Sequence, residues 1–276
     1  MGTSALDLAT IIKAFLVLEQ EKFFPAQMWE AINPSQVEVF ELLATRRDEV
    51  AKLRDLVGSA KSHPDFSISV ISVLDKTVRW LDGKAQQKTI KRENKNYPGF
   101  KLKKGCSVYT VEGFEDSPLL EIVTKNGDRL CLMMHTDQLA GMELVKTVFD
   151  VLKAKRKFHL EYEMSVEASI PCVNFDLRPD ISFLVGAFAS KDGNNWTISK
   201  ADQRFRFRMN EEGARALVET SMMILGCCIE RNPRKKKIVI DQPFIGWFMQ
   251  SDCDFPMAVF YADVDSWKDS GKLENL

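Results

Sequence analysis

The amino-acid sequence predicts an α+β fold, and three observations predict it. Helical patterns dominate the start of the chain, whereas short alternating or apolar runs typical of strands dominate the rest. Of the 276 residues, 45% are hydrophobic and 28% are charged, a balance that suits a globular chain with a substantial core. No internal repeat or low-complexity linker divides the chain, so we expect one domain over residues 1–276.

Helical patterns mark five stretches of the chain. Apolar residues recur at helical spacing in the first, and Phe23-Phe24-Pro25 and Asn33-Pro34 punctuate the stretches that follow. The third stretch is charged and amphipathic and ends at Gly58. We therefore expect helices over residues 6–19, 26–32, 36–57, 142–153 and 181–188.

Strand patterns begin at residue 66. Residues 66–73 alternate serine with bulky apolar side chains, and Asn126-Gly127 between two apolar runs is a strong signal for a hairpin turn. Strands are expected over residues 66–73, 107–111, 119–124, 129–134, 157–166 and 168–175.

Residues 86–105 are basic and poor in apolar side chains. The basic residues are Lys88, Lys91, Arg92, Lys95, Lys101, Lys103 and Lys104. Such a segment can steer an acidic partner, but its composition favours a solvated loop.

Charge and cysteine content exclude several classes of function. The formal net charge is −1, which indicates no general affinity for nucleic acid or membranes. The six cysteines show no paired metal-ligand spacing, and the chain has only three histidines. We therefore expect free thiols, no metal and no cofactor.

The sequence predicts no enzyme active site. His63, His135 and His159 are candidate partners for a nucleophilic Cys131 or Cys172, but no nucleophile signature surrounds either cysteine. A phosphate-binding glycine loop is also absent from the sequence. We expect a protein that is not an enzyme.

The start of the sequence lacks the features of a secretory leader. Its apolar stretch at residues 11–18 is interrupted by Lys13, has no basic leading region and shows no small-residue cleavage site. We expect a cytoplasmic protein.

The most informative stretch begins at residue 210 and has strand-compatible alternation. Gly213 follows Glu211 and Glu212 and supplies a backbone pivot. The next residues divide between a small, largely apolar face and a charged face. The first face has Ala214, Ala216, Val218 and Thr220, and the second has Arg215, Leu217 and Glu219. Such a segment can enter a sheet while its charges stay in water, although the pattern also fits an ordinary surface strand or the start of a helix.

Together with the segments downstream, this stretch resembles the reactive-loop hinge of the serpin family. Residues 241–248 and 255–260 have the character of paired core strands and are similar to the last two strands of a serpin. Earlier segments resemble the start of helix B (23–25), the central strand 3A with its tryptophan (66–80), the sheet B hairpin (120–122 and 130–134) and strand 5A (198–201).

The resemblance implies N-terminal helices packed on mixed β-sheets, with an exposed reactive-centre loop near the end of the chain. It implies a monomeric suicide substrate: a serine or cysteine protease cleaves the loop, and the freed hinge enters the central sheet as a new strand. Family spacing places the cut fourteen positions after Gly213, at Cys227-Cys228. Counting back from Pro243 gives a position near Ile229 instead, and Arg231 is a third option.

Departures from the family pattern leave an alternative function open. The interval between the helix at 36–57 and the strand at 66–73 has no room for helices and edge strands that a complete serpin carries, so we expect a shortened form similar to viral, poxvirus-like serpins. Ser72, Trp80 and Gln203 are expected to control sheet opening, but the family prefers Asn and His where Ser72 and Gln203 stand. The alternative is a serpin-like binding protein that inhibits nothing. We expect the basic run Arg231–Lys237 to be a solvated turn, with polyanion binding or a nuclear signal as its alternatives.

Overall fold

The computed structural model describes residues 2–63, 67–157, 165–216 and 235–273. Several residues singled out by the sequence analysis lie outside these ranges, namely His159, Leu217, Val218, Glu219, Thr220, Cys227, Cys228, Ile229 and Arg231.

Three α-helices and twenty strands form the part of the chain that the structure describes. The α-helices are α1 (Leu8–Gln20), α2 (Pro34–Ala51) and α3 (Gly141–Ala154), and short 3-10 helices cover Ala26–Met28, Ser182–Leu184 and Val264–Ser266. The strands are β1 (Ser4–Leu6), β2 (Trp29–Glu30), β3 (Leu56–Ser62), β4 (Ile68–Leu74), β5 (Lys76–Arg79), β6 (Gln86–Arg92), β7 (Lys95–Leu102), β8 (Cys106–Val111), β9 (Leu119–Val123), β10 (Arg129–Met134), β11 (Lys155–Lys157), β12 (Ser165–Pro171), β13 (Val173–Leu177), β14 (Phe188–Lys191), β15 (Asn194–Thr197), β16 (Phe205–Asn210), β17 (Gly213–Ala216), β18 (Lys235–Val239), β19 (Phe244–Met249) and β20 (Met257–Ala262).

These strands form five sheets. The largest has seven strands in the order β1-β20-β19-β10-β9-β8-β11. Two sheets of four strands have the orders β18-β12-β7-β6 and β13-β16-β17-β5, and the smallest sheets are β15-β14-β2 and β3-β4. We call β13-β16-β17-β5 the hinge sheet, because β17 begins at Gly213. It is antiparallel throughout, so each side chain shares a face with its partner across the ladder.

Side-chain caps define where the first two α-helices begin. The carboxylate of Asp7 accepts a hydrogen bond from the backbone N–H of Thr10 at 3.0 Å and caps α1. Asn33 caps α2 in the same way, and Pro34 occupies its first turn. Helix α1 packs against α2 and against both strands of the β3-β4 sheet. Within the described ranges, no helix is long and apolar enough to cross a membrane.

Aromatic contacts join the inner face of the hinge sheet to the seven-stranded sheet. The ring of Phe207 in β16 lies 4.3 Å from that of Phe260 in β20 and 6.1 Å from that of Phe248 in β19, centroid to centroid. Phe175 in β13 also contacts Phe207 and Phe260. These buried rings fix which face of the hinge sheet points into the core.

The strongest sequence patterns are confirmed as elements. Residues 6–19 and 142–153 correspond to α1 and α3, and the predicted strands at 66–73, 107–111, 119–124 and 129–134 correspond to β4, β8, β9 and β10. The Asn126-Gly127 hairpin joins β9 to β10, with Gly127 at a φ of 84°. Long periodic stretches and a turn with a strong residue preference are the signals least affected by tertiary context.

Three helix predictions are wrong in type or extent. Residues 26–32 form one 3-10 turn followed by β2, because Trp29 packs edge-on against Phe15 and Phe24 while β2 pairs with β14. Helix α2 ends at Ala51, and the interval before β4 holds the edge strand β3. Residues 181–188 contain only the short helix Ser182–Leu184 before β14. Burial of single side chains outweighs helical spacing in these short segments.

Three strand or loop predictions also need correction. The basic segment at 86–105 is no loop, because β6 and β7 form a hairpin whose turn residues Glu93 and Asn94 have φ values of 47° and 63°. Residues 168–175 divide at Cys172 between β12 and β13, which belong to different sheets. Residues 198–204 are not a strand, and β16 begins only at Phe205.

Candidate functional site

Residues Gly213–Ala216 of the predicted hinge form a strand in the middle of a sheet. Strand β17, Gly213–Ala216, pairs with β16 on one side and with β5 on the other. Ala214 faces Met209 and Val78, and Ala216 faces Phe207 and Lys76. All four residues of β17 are buried. The predicted strand-compatible segment is therefore a strand in its described part, and it lies between β5 and β16.

Gly213 is required by close packing of the backbone. A Cβ atom at this position would lie 2.1 Å from the carbonyl oxygen of Val78 and 3.2 Å from the Cα of Arg79. Its φ is not in the left-handed region, so the sequence-based interpretation of Gly213 as a pivot misses the main reason for the glycine. Any side chain here would push β17 away from β5.

The turn at Glu211 and Glu212 is held by polar contacts from β5, from β6 and from the segment between these two strands. The carbonyl of Glu211 accepts the N–H of Ala85 at 2.7 Å, and its carboxylate accepts a hydrogen bond from Gln87 at 2.8 Å. The carboxylate of Glu212 pairs with Arg79 at 3.2 Å. The turn therefore has a fixed position at the start of β17.

The environment of Glu211 lowers its pKa. Burial by itself raises the pKa of this carboxyl, but hydrogen bonds from its own backbone N–H and from Gln87 and Lys84 outweigh burial. The ionised form is thus favoured in the folded protein, and it contributes to holding the turn.

Arg215 is buried, which corrects the expectation that the charged face of the hinge stays in water. The residue is 6% exposed, and its guanidinium donates to the carboxylate of Asp75 at 3.3 Å and to the carbonyl of Leu273 at 3.1 Å. A buried cation needs such partners. The sequence pattern could not identify these partners, because Asp75 and Leu273 are far from Arg215 in the chain.

Trp80 lies directly beneath the turn that precedes β17. Its indole N–H donates to the carbonyl of Asn210 at 2.8 Å, and its ring stacks on Phe100 with centroids 5.6 Å apart. The side chain is fully buried. Trp80 thus connects the end of β5 to the end of β16, on either side of the hinge turn.

Ser72 and Gln203, the other two residues expected to control sheet opening, meet at the first turn of α1. The hydroxyl of Ser72 donates to the carbonyl of Thr10. The side-chain amide of Gln203 donates to the Thr10 hydroxyl at 3.0 Å and to the carbonyl of Asp7 at 2.9 Å, and its oxygen accepts the N–H of Asp7 at 3.0 Å. The start of α1 therefore joins β4 to the segment before β16.

The helix that contacts Ser72 and Gln203 is α1, through Asp7 and Thr10 at its start. Asp7 and Thr10 were missed, although Asp7 stands where a helix-capping residue is expected. The carboxylate of Asp7 also accepts the N–H of Ala258 at 2.9 Å. Burial raises the pKa of Asp7, against the opposing effect of the hydrogen bonds from Ala258 and Thr10.

A buried ion cluster lies under the last described residue of the hinge. Lys76 faces Ala216 across the ladder and is 1% exposed, and its ammonium group contacts the carboxylates of Asp55 and Asp128. No local sequence pattern predicts this cluster, because its members are scattered along the chain. Loss of one member would leave a buried charge without its partner.

The strands on the two sides of β17 differ in what lies beyond them. On the side of β5 another strand, β4, extends past Ala216, whereas on the side of β16 the chain beyond the strand is irregular. Strand β4 precedes β5 in the chain, with Asp75 between them, and in the described part of the chain β4 pairs only with β3. Ile71 and Val73 on its outer face are exposed. Residues 198–204, on the opposite side, form no strand. Among the described residues, the edge of β4 that faces away from β3 has no strand partner.

The described thiols and histidines form no catalytic arrangement. Burial raises the pKa of the Cys106, Cys131 and Cys172 thiols to about 12. His63 contacts the hydroxyl of Ser69, and His135 contacts the carbonyl of Asp137. Residues 2–63, 67–157, 165–216 and 235–273 contain no group of three His, Cys, Asp or Glu side chains that could hold a metal ion.

Four predicted site residues lie outside the described residues: the reactive bond Cys227-Cys228 and the later hinge positions Val218 and Thr220. Of the basic run 231–237, the structure describes Lys235, Lys236 and Lys237, which begin β18 beside β12. The structure therefore gives the start of the hinge and the strand that follows the loop.

Known structures with the same fold are serpins. No protein-family model matches the sequence, and no curated protein matches it by sequence. Thyroxine-binding globulin in complex with thyroxine is similar to this chain with a TM-score of 0.53 and 10% identity, over 97% of this chain and 94% of that chain. The thermophilic serpin tengpin in its native state is similar with a TM-score of 0.53 and 12% identity, over 95% of this chain and 88% of that chain. Mouse protein-Z dependent protease inhibitor is similar with a TM-score of 0.51 and 9% identity, over 95% of this chain and 91% of that chain. The chain thus has the serpin fold, a mixed α+β architecture with few helices and several sheets, as predicted.

Proposed function

We propose that the protein is a serpin-type protease inhibitor that acts as a suicide substrate. The loop begins after residue 216. A target serine or cysteine protease cleaves this loop and forms an acyl-enzyme, and the freed loop then enters the hinge sheet as a strand. The observation that carries this proposal is the position of β17, which starts the loop between β5 and β16. Protease inhibitors are among the proteins with similar structures.

The register of β17 defines how the loop would continue. Ala216 faces Lys76, so in the same register Leu217 would face Asp75, Val218 would face Leu74 and Glu219 would face Val73. Val218 would then enter the inner face, as Ala214 and Ala216 do. Glu219 would lie on the outer face beside Val73, which is exposed. The alternation of the sequence therefore matches the two environments along β4.

A protease panel tests inhibition directly. The protein is incubated with serine and cysteine proteases, and the products are analysed by SDS gel electrophoresis and by mass spectrometry. We expect a complex that survives SDS with at least one protease, and a cut at Cys227-Cys228. Ala216→Arg, which places a large cation at a buried position of β17, should convert inhibition into plain cleavage. Ala44→Arg on the exposed surface of α2 is the matched control and should inhibit normally. Cleavage without a stable complex across the panel contradicts the proposal.

Cross-linking tests insertion separately from inhibition. Directly opposed residues in an antiparallel pair have Cα atoms about 4.5–5.5 Å apart, within the range that a disulfide spans. We expect the Glu219→Cys/Val73→Cys pair to cross-link after loop cleavage, as detected by peptide mapping without reduction. The Glu219→Cys/Ile71→Cys pair is two residues out of register and should not cross-link after loop cleavage. Equal cross-linking of both pairs, or of neither, contradicts insertion along β4.

A serpin-like binding protein without inhibitory activity is the second candidate. The observation that favours it is the missing strand at residues 198–204, since an inserted loop beside β4 then has a paired neighbour on one side only. Thyroxine-binding globulin, which binds thyroxine in the structure with the same fold, is a precedent for a binding role. Under this interpretation every protease that cuts the loop is released unharmed.

A further inference from the structure

The chain segment Asp269–Leu273 crosses the outer face of the hinge sheet. We call it the crossing segment. Its backbone carbonyls accept hydrogen bonds from side chains of three neighbouring strands. The bonds run from Asn174 in β13 to Asp269 at 3.4 Å, from Asn210 in β16 to Gly271 at 2.8 Å, from Arg208 in β16 to Lys272 at 3.1 Å and from Arg215 in β17 to Leu273 at 3.1 Å.

The order of these contacts follows the order of the strands. Asn174 faces Arg208 across the β13-β16 ladder, and Arg208 faces Arg215 across the β16-β17 ladder. The three side chains therefore form one row on one face of the sheet. The crossing segment passes along this row from β13 to β17, so that its last contact is with the hinge strand.

The crossing segment is anchored at both ends. Trp267, just before it, packs edge-on against Tyr97 with centroids 5.3 Å apart and also contacts Phe244. Leu273 at the other end is 1% exposed. Between them, Gly271 adopts a φ of 61°, and its N–H donates to the carboxylate of Asp269 at 2.9 Å. This is a fixed conformation that depends on a glycine.

We propose that the crossing segment is a clasp that holds β17 in the hinge sheet and thereby sets how far the loop enters the sheet before cleavage. Withdrawal of β17 would separate the buried Arg215 guanidinium from the carbonyl of Leu273. Withdrawal would break this charge-assisted bond and remove the donor from the carbonyl of Leu273, so the contact opposes withdrawal. The consequence for loop insertion rests on the proposed function, whereas the clasp itself does not.

Two variants weaken the clasp from opposite sides. Asn210→Asp keeps the side-chain oxygen that accepts the N–H of Glu212 but loses the amide that donates to Gly271. Gly271→Val strains the crossing segment, because φ is positive there, while a Cβ meets nothing within 4 Å. Gly193→Val is the matched control: its φ is 75°, its Cβ is equally free, and it lies between β14 and β15, away from the hinge.

Amide hydrogen exchange measured by mass spectrometry provides the test, and it needs no protease. We expect amides of Gly213–Ala216 to exchange about fivefold faster in Asn210→Asp, the factor that corresponds to one hydrogen bond of about 1 kcal/mol. Gly271→Val should have an effect of similar size or larger, whereas Gly193→Val should leave these amides unchanged. Exchange in β19 and β20 should stay at the wild-type rate in all three variants.

Two results would overturn the clasp. The first is wild-type exchange of the hinge amides in both Asn210→Asp and Gly271→Val. The second is equal acceleration of β17, β19 and β20 in both variants, because the crossing segment would then be a general element of the fold. Absence of inhibition in the protease panel, by contrast, would remove the proposed function and leave the clasp intact.

Discussion

Replacement of Gly213 by alanine is the most direct perturbation of the hinge strand. The added Cβ would lie 2.1 Å from the carbonyl oxygen of Val78, which is a backbone atom of the neighbouring strand β5. Neither partner can rotate away, so β17 and β5 must separate or distort. The perturbation acts where β17 contacts β5, while the inner face of the sheet keeps all its side chains.

The size of the effect follows from the two ways in which the sheet can respond. Accommodating an extra carbon in a well-packed site costs about 1–3 kcal/mol. Complete loss of β17 from the sheet would cost more, since its four residues pair on both sides and each backbone hydrogen bond contributes about 1 kcal/mol. The sheet should therefore yield rather than release the strand. We expect the free energy of unfolding to fall by about 2 kcal/mol and the melting temperature by roughly 5 °C.

Urea denaturation and a thermal melt measure this loss, and amide hydrogen exchange locates it. Exchange should accelerate in β17 and its neighbours β5 and β16 before it does so elsewhere. Gly2→Ala is the control, because a Cβ at Gly2 meets nothing within 4 Å. Wild-type stability together with wild-type exchange in Gly213→Ala would show that residue 213 does not lie against Val78, and the position of the hinge would be refuted.

Three further predictions concern the contacts around the hinge sheet. Gln203→Ala removes three hydrogen bonds to the start of α1 and should lower the free energy of unfolding by about 1–3 kcal/mol. Ser72→Ala removes one such bond and should lower it less. Equal losses of the two variants in urea denaturation would contradict this prediction. Trp80→Phe leaves the buried carbonyl of Asn210 without its donor and should cost about 1–3 kcal/mol by the same measurement, so an unchanged midpoint would be the contrary result. Because the folded-state pKa of Glu211 is lowered, its ionised form stabilises the fold above the ordinary value of 4.5 and this contribution is lost as the pH falls through the lowered pKa. Glu211→Gln should therefore be less stable than the wild type at pH 7 and approach it in acid, and a difference independent of pH would contradict the assignment.

The sequence was sufficient where local signals coincide with the tertiary environment. The alternation after Gly213 predicts a strand, and the small residues Ala214 and Ala216 do face the core. Trp80, Ser72 and Gln203 were identified through a family resemblance, and the structure places each of them beside the hinge or at α1. Ala214, Ala216 and Ser72 lie in strands that the sequence patterns predict, and Trp80 directly follows one, whereas Gln203 lies in a segment that forms no strand.

The remaining features depend on contacts that no local pattern specifies. Arginine is a residue type that usually faces solvent, yet the crossing segment and Asp75 cover Arg215. The β6-β7 hairpin turns at Glu93 and Asn94, neither of which is glycine, so the usual turn signal is missing. Trp29 draws its segment out of a helix through its aromatic neighbours. In each case a partner distant in sequence decides the local conformation.

The free energy available to the loop decides between the two candidate functions. In the register of β17, residues 218–224 of the freed loop would face Leu74–Ile68 of β4, and one ladder of that length is worth about 7 kcal/mol at about 1 kcal/mol per hydrogen bond. A second ladder requires residues 198–204 to become a strand, which means breaking the bonds of Gln203 to Asp7 and Thr10 at a cost of about 1–3 kcal/mol. The gain exceeds this cost, so an inhibitor needs no preformed strand at 198–204. We therefore expect amides of residues 198–204 to become protected from hydrogen exchange once the loop is cut, and continued fast exchange after cleavage would favour the binding protein.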